Sequence, residues 1–168
     1  MKKILLILIT LISMSIQAQE TLKKIVLEKE DGAKVDGSAW SSDEIKDKVY
    51  VLFYVDPDEK NLNEHVADLI KKENFPLEKY GSIGIINMAA TWLPNFAIAS
   101  SLKEKQKKFP HTIYVKDFKK ILVKEWGLKD DSSNVLVFNK KGQLIFKVLG
   151  KATDEEATKI VNLIKENL

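Results

Sequence analysis

The sequence predicts an α/β protein in three layers, with helices flanking a mixed central β-sheet. Strand-like and helix-like segments alternate along the middle of the chain, which is typical of parallel strands joined by crossover helices. A hairpin and an amphipathic helix then close the chain, and the hairpin adds antiparallel strands to the sheet. With 168 residues and no linker-like segment, the chain is expected to form one domain over residues 19–168.

The predicted strands are short apolar segments bounded by turn residues. Residues 49–55, VYVLFYV, are almost continuously apolar, which indicates a central strand buried on both faces. Gly142 lies in the polar turn NKKG between two apolar segments, which indicates a hairpin. The other predicted strands are residues 22–30, 82–87, 111–115, 135–138 and 143–148.

The predicted helices lie between these strands and at the end of the chain. Residues 59–73 carry apolar side chains at helical spacing on one side, namely Leu62, Val66, Leu69 and Ile70. A second helix is predicted over residues 96–108, with lysines toward its dipole-negative end. A helical turn over 118–126 follows, and a last helix begins at Thr153, where the sequence TDEE is typical of a capping box.

The first 18 residues have the layout of a secretory signal peptide. Lys2 and Lys3 precede an apolar run from Ile4 to Ile12, and small and polar residues follow as far as Ala18. The apolar run is shorter than the ~20 residues that cross a bilayer, which argues against a membrane anchor. We therefore expect a periplasmic protein that keeps no stable membrane anchor after cleavage.

The composition excludes several classes of function. The chain contains no cysteine, so it has no thiol nucleophile, no disulfide and no cysteine-bound metal. Its basic residues are all lysines, and they nearly balance the acidic residues. Nucleic-acid surfaces are typically rich in arginine, which makes bidentate bonds to phosphate and guanine. The composition therefore predicts no nucleic-acid partner.

The second half of the chain resembles a known group of proteins. Residues 135–145, VLVFNKKGQLI, followed by Gly150 and the TDEE sequence, are similar to the closing hairpin and helix of thioredoxin-like redoxins. More narrowly, the chain resembles the YtfJ family of small periplasmic proteins in the segments SSL (100–102), WGL (126–128) and DSSNV (131–135). The resemblance extends from Val49 to the end of the chain. It implies a thioredoxin-like fold that lacks the CxxC motif and has no established activity.

The segment MAATWLPNF, residues 88–96, is similar to the Ala-Thr-Trp-Cys-Pro-x-Cys site of exported thiol reductases, with Leu93 and Phe96 at the sulfur positions. In the fold that the resemblance implies, the redox loop follows a central strand and faces a cis-proline position just before the hairpin. Two strands should separate that loop from the hairpin, and only one follows residues 88–96. Counting strands therefore places the equivalent loop at residues 56–61 and the cis-proline position at Ser133.

Neither element retains redox chemistry, so we expect a non-catalytic protein without cofactor or metal. Its predicted role is to bind a periplasmic protein or peptide through the face that corresponds to the redox site. A sheet edge that accepts an extended segment is a second way to bind such a partner. The residues assigned to the predicted face are Asp56, Pro57, Asp58, Lys60, Trp92, Pro94, Ser132, Ser133 and Asn134.

Two alternatives concern the polar residues of this face. The first is an enzyme of non-thiol type that uses Asp56, Asp58 or His111 in a closed pocket. The second is a Ca²⁺ or Mg²⁺ site at Asp56, Asp58 and Glu59, whose oxygen ligands suit these ions. For these acidic residues the sequence favours a helix cap with Asp58 as the N-cap residue, because no metal-loop spacing follows.

The aromatic residues of MAATWLPNF also allow two interpretations. Trp92, Pro94 and Phe96 either form an exposed ledge for a partner or belong to a helix entry in which Trp92 packs on its neighbours. The packed helix entry is the favoured interpretation. Trp40 and Trp126 are predicted to lie in the core.

Overall fold

A six-stranded mixed sheet forms the middle layer of the structure, a computed structural model that describes residues 22–168. The elements along the chain are β1 (Val26–Leu27), β2 (Gly32–Lys34), β3 (Trp40–Ser41), β4 (Val49–Val55), α1 (Glu64–Glu73), β5 (Tyr80–Asn87), α2 (Asn95–Lys108), β6 (Thr112–Asp117), α3 (Ile121–Trp126), β7 (Ser133–Phe138), β8 (Leu144–Leu149) and α4 (Asp154–Asn167).

The strand order across the sheet is β2-β6-β5-β4-β7-β8. Strands β4, β5 and β6 are parallel, whereas β2, β7 and β8 pair antiparallel with their neighbours. The predicted central position of residues 49–55 is confirmed. Val51 and Leu52, which point to opposite faces of β4, are both fully buried.

Each face of the sheet has its own apolar core. On one face, Val49 and Val51 pack with Val66 of α1 and Ile160 of α4. On the other face, Leu52 packs in a cluster that contains β1, β3 and α3 residues, including Trp40 and Trp126. The rings of Trp40 and Trp126 meet edge to face with their centroids 6.5 Å apart, which confirms both as core residues.

Helix α2 is attached to the sheet by a smaller cluster. Its buried residues are Ile98 and Leu102, which pack with Ile86 and Met88. Most of the remaining α2 side chains are exposed. The helix therefore presents a long solvent-facing surface beside the end of β5.

Two predicted boundaries are wrong for identifiable reasons. The strand predicted over residues 22–30 pairs only at Val26–Leu27, because the chain turns at Lys29, whose φ is +53°. The first helix begins at Glu64 and not at residue 59, because residues 57–59 form a separate 3₁₀ turn. The predicted capping box at Thr153 is confirmed.

The predicted signal peptide lies outside the described residues, as does the domain boundary at residue 19. Within residues 22–168, no helix has the length and apolar character needed to span a membrane.

The parallel strands place three polar residues in a row at one edge of the sheet. Asp56 directly follows β4, whereas Asn87 and Asp117 are the last residues of β5 and β6. The register pairs Asn87 with Asp117 and pairs Val55, which precedes Asp56, with Ile86. We call this edge, where parallel strands end, the carboxyl edge. Binding sites of open α/β sheets commonly lie at such an edge.

Candidate functional site at the carboxyl edge

The loop that was predicted to replace a redox site lies where the strand count placed it. The backbone N–H of Asp56 donates to the carbonyl of Ser132 at 2.9 Å, so residues 56–61 face the segment that leads into β7. No cis peptide bond occurs in residues 22–168, including the position of Ser133. The segment 88–96 connects β5 to α2, as predicted.

Asp56, and not Asp58, caps the turn that follows β4. The Asp56 Oδ1 atom accepts a hydrogen bond from the Asp58 backbone N–H at 2.8 Å, and Pro57 occupies the first position of the turn. The prediction that Asp58 is the cap is therefore wrong. The cause is that the chain enters a 3₁₀ turn two residues earlier than the predicted helix. The Asp58 side chain is left exposed.

The Asp56 carboxyl is buried among other carboxylates. Burial raises its pKa above the ordinary value, and the hydrogen bond from the Asp58 N–H opposes that rise. The negative charges of Asp58, Asp131 and Glu59 raise the pKa further. Asp58 and Glu59 follow Asp56 in the same turn, and Asp131 directly precedes Ser132, whose carbonyl accepts from the Asp56 N–H.

Four residues of the predicted face have buried side chains, namely Asp56 and three residues around the start of β7. Ser132, Ser133 and Asn134 are each 5% exposed or less. The Asn134 amide bonds to the Lys129 backbone, accepting from its N–H at 3.0 Å and donating to its carbonyl at 2.9 Å. These serine and asparagine side chains therefore support the face from inside, and the prediction that they belong to its surface is corrected.

Asn63 joins the three chain segments beneath the face. Its Nδ2 atom donates to the Ser133 carbonyl at 3.1 Å and to the Gly150 carbonyl at 2.9 Å, and its Oδ1 atom accepts from the Ala152 N–H at 2.8 Å. The neighbouring His65 donates from Nε2 to the Ala152 carbonyl at 3.1 Å. Asn63 was not among the predicted site residues. It lies within the helix predicted over residues 59–73, next to Leu62 of the apolar face, and this position gave no signal of a buried polar role.

A second buried network anchors the loop between β6 and β7. Asp117 accepts hydrogen bonds from the Tyr54 hydroxyl at 3.1 Å and from the N–H groups of Ile121 and Leu122 at 3.0 Å each. Asp117 therefore supports the start of α3 from the end of β6. Burial raises the pKa of Tyr54, and the charge of Asp117 raises it further, so Tyr54 remains a neutral donor.

Asn87, which pairs with Asp117 in the sheet register, belongs to a separate polar cluster nearer the surface. Its Nδ2 atom donates to Asp130 at 2.9 Å, and Lys120 donates to the other oxygen of Asp130 at 2.6 Å. Burial opposes ionisation of Asp130, but the hydrogen bonds from Lys120, the Asp131 N–H and Asn87 together hold its pKa below the ordinary value. Asp131 adopts a left-handed backbone conformation with φ +48°. The polar ends of β5 and β6 were the sequence signal for this network.

Trp92 and Phe96 form an exposed aromatic ledge. Trp92 is 84% exposed and Phe96 is 78% exposed, whereas Leu93 between them packs toward Met88 in the α2 cluster. The Leu93 N–H donates to Thr91 Oγ1 at 3.2 Å, which fixes the turn before α2. The favoured prediction that Trp92 packs on its neighbours is therefore wrong. The turn directs Leu93 inward, so Trp92 points into solvent.

The residues of the alternative enzyme site are not brought together. His111 precedes β6 and is exposed at the opposite edge of the sheet from Asp56. A strand of six residues separates the two edges by roughly 20 Å. Within the part of the chain that the structure describes, no group of three His, Cys, Asp or Glu residues is placed to hold a metal ion. The exposed residues near this edge carry aromatic rings, carboxylates and an ammonium group, namely Trp92, Phe96, Asp58, Glu59, Asp131 and Lys60.

Solved structures and known proteins resemble this chain in fold and in sequence. The pneumococcal exposed lipoprotein thioredoxin Etrx1 from Streptococcus pneumoniae superposes with a TM-score of 0.59 at 15% identity, over 86% of this chain and 99% of that one. The fold is therefore thioredoxin-like. Among known proteins, an uncharacterized protein from Haemophilus influenzae is 30% identical over 129 residues, which cover 74% of this chain and 70% of that protein.

The Escherichia coli protein YtfJ, also uncharacterized, is 26% identical over 149 residues, which cover 86% of this chain and 79% of that protein. A family model described as "Bacterial protein of unknown function (YtfJ_HI0045)" matches residues 14–167. The chain belongs to this family, the YtfJ_HI0045 family of bacterial proteins.

Proposed function

We propose that this protein is a non-catalytic periplasmic binding module that takes up a segment of another protein or a peptide at its carboxyl edge. The binding surface, named here the aromatic–acidic face, consists of the exposed or half-buried residues Pro57, Asp58, Glu59, Lys60, Trp92, Pro94, Phe96 and Asp131. It keeps the surface members of the predicted face and adds Glu59, Phe96 and Asp131.

The exposure of Trp92 and Phe96 is the observation that carries the proposal. Burying a phenylalanine side chain contributes roughly 1.5–3 kcal/mol, and the isolated chain forgoes most of that for Phe96. Exposed aromatic residues are typical of protein interaction sites, and Trp92 and Phe96 are four positions apart at the start of α2. Here they lie on a segment that Leu93 fixes to the domain, so the ledge is held in place before a partner binds.

A hydrogen-bonded base beneath the face further supports a binding role. Asn63, Asp117 and Asn87 use their side chains to hold the surrounding loops. A surface held in this way loses little conformational freedom when a ligand binds. A periplasmic location is supported by the signal-peptide pattern of the sequence, and an exposed lipoprotein is among the proteins that share the fold.

Site-specific photo-crosslinking in cells tests the proposal. A photoreactive phenylalanine analogue replaces Phe96, and in a control protein it replaces Leu77. Leu77 is 47% exposed and precedes the first residue of β5, at the opposite edge of the sheet. We expect a discrete adduct from position 96 that Trp92→Ala greatly reduces, and no such adduct from position 77. Absence of an adduct from position 96, or an adduct that Trp92→Ala does not reduce, would contradict the proposal.

A further inference from the structure

The exposed charges of the aromatic–acidic face are mostly negative. Asp58, Glu59 and Asp131 provide three carboxylates, and Lys60 provides one ammonium group. The Asp131 side chain is 72% exposed. The hydrogen bond of 2.9 Å from the Asp56 N–H to the Ser132 carbonyl places Asp131, which precedes Ser132, near the loop that carries Asp58 and Glu59, so their fields add.

Two nearby lysines offset only part of this negative charge. Lys120 forms ion pairs with Asp130 at 2.6 Å and with Asp131 at 3.7 Å, so two carboxylates share one ammonium group. Lys60 is exposed and provides one ammonium group beside the two carboxylates of Asp58 and Glu59. The carboxylate side of the face is therefore available to a positive charge from a ligand.

The aromatic ledge and the carboxylates follow neighbouring strands at the same edge of the sheet, since Asp58 and Glu59 come after β4 and Trp92 comes after β5. Asn87, the last residue of β5, bonds to Asp130, which directly precedes Asp131. Five residues beyond Asn87 the chain reaches Trp92. An exposed tryptophan ring binds the ammonium or guanidinium group of a ligand through its face, and it also packs on the aliphatic stem of lysine or arginine.

We infer that the ligand of the aromatic–acidic face is an extended protein segment that carries lysine or arginine beside an apolar residue. The inference rests on the proposed function and adds to it the charge of the partner. The apolar residue packs on Trp92 and Phe96, and the basic residues pair with the carboxylates of Glu59 and Asp131. An anionic membrane surface suits the same aromatic residues, but these carboxylates would be repelled by it.

Selection from a random dodecapeptide library displayed on phage tests the inference. The library is selected on the wild-type protein and, in parallel, on the variant Trp92→Ala/Phe96→Ala. We expect peptides that are recovered only on the wild type and that are enriched in lysine and arginine. Enrichment of neutral or acidic peptides on the wild type alone would overturn the inference and leave the proposed function standing. Equal recovery on both proteins would overturn the proposed function as well.

A matched pair of charge variants then tests which carboxylates are responsible. Glu59→Gln/Asp131→Asn removes two charges from the face, and Glu78→Gln/Asp47→Asn removes two charges from the opposite edge. The αL conformation of Asp131 and of Asp47 accepts asparagine, so both variants are expected to fold. The first variant should weaken the selected peptides by about 3- to 10-fold at low salt, and the second should not. Equal weakening by both would overturn the inference.

Two further measurements separate this ligand from other occupants. We expect the protein not to co-sediment with phosphatidylcholine–phosphatidylglycerol vesicles. If it does bind them, and if Trp92→Ala/Phe96→Ala removes that binding, the surface faces a membrane and the inference is overturned. Light scattering across a concentration series is expected to show no association that depends on Trp92. Self-association that Trp92→Ala/Phe96→Ala abolishes would show that a second copy of the protein occupies the face. That result would also overturn the inference.

Discussion

The backbone N–H of Asp56 and the carbonyl oxygen of Ser132 are joined by a hydrogen bond of 2.9 Å. This bond links the loop after β4 to the segment before β7, as the strand count predicted from the sequence. The loop contains carboxylates and no sulfur. Asp58 and Glu59 are exposed on it, so the side chains that it presents to solvent there are acidic.

Asn63 is expected to be the largest single polar contributor to stability at the carboxyl edge. Asn63→Ala leaves the Ala152 N–H and the Ser133 and Gly150 carbonyls without their side-chain partner in a buried place. We expect the free energy of unfolding to fall by about 2–4 kcal/mol. Urea denaturation measures the change, with the exposed neighbour Asn61→Ala as control. Similar losses in both variants would show that the three-segment connection contributes little.

Trp92 and Leu93 are adjacent residues for which we expect opposite effects. Leu93→Ala removes apolar contacts in the α2 cluster and should destabilise the protein by about 1–2 kcal/mol. Trp92→Ala removes an exposed side chain and should change the free energy of unfolding by less than about 0.5 kcal/mol. Thermal and urea unfolding of the two variants compare them directly. A large destabilisation by Trp92→Ala would mean that the indole packs on the domain.

Tryptophan fluorescence gives an independent measure of the exposed indole. Trp40 and Trp126 are buried, so iodide or acrylamide should quench mainly the emission of Trp92. Trp92→Phe is expected to remove most of the quenchable emission and shift the remaining spectrum to the blue. Unchanged quenching in Trp92→Phe would contradict the exposed position of this residue.

The buried carboxyl of Asp56 predicts a pH-dependent effect on stability. Its pKa is raised in the folded state, so the folded protein binds a proton more tightly than the unfolded chain. Stability contributed by this group is therefore present at low pH and is lost as the pH rises through the raised pKa. Asp56→Asn keeps the capping oxygen without the charge, and should be more stable than the wild type at about pH 7.

The gain should disappear below the ordinary carboxyl range, where Asp56 is protonated in both folded and unfolded states. Urea unfolding across pH measures this difference, and Asp47→Asn controls for the removal of one negative charge elsewhere. A gain that is the same at every pH, or a loss at neutral pH, would contradict the assigned pKa direction.

The regular elements were predictable because their pattern is local. The apolar run 49–55 identifies a buried strand from its own residues, and TDEE at Thr153 identifies a helix start. The strand count placed the loop 56–61 opposite Ser133, and in the structure Asp56 bonds to the carbonyl of the adjacent residue, Ser132. The order of strands limits which loops can meet, so this part of the site followed from topology alone.

The rest of the site depends on contacts between distant segments. Asn63 bonds to Ser133 and Gly150, which lie 70 and 87 positions away in the chain. No local sequence pattern predicts such pairings. Whether Trp92 or Leu93 points inward depends on the turn at Thr91, where the Leu93 N–H bonds to the threonine hydroxyl. A different backbone direction at this turn would exchange the inward and outward positions of the two side chains. The Ser133 hydroxyl likewise accepts from Asn63, which lies 70 positions away in the chain.

The indole N–H resonance of Trp92 in a two-dimensional ¹⁵N–¹H NMR spectrum tests the central claim most directly. A peptide selected on the wild-type protein is titrated into the labelled protein, and the three tryptophan signals are followed separately. We predict that the Trp92 signal moves and saturates with the peptide, while the signals of buried Trp40 and Trp126 stay in place. Saturable binding that leaves the Trp92 signal unchanged would contradict the claim that the aromatic–acidic face is the binding surface.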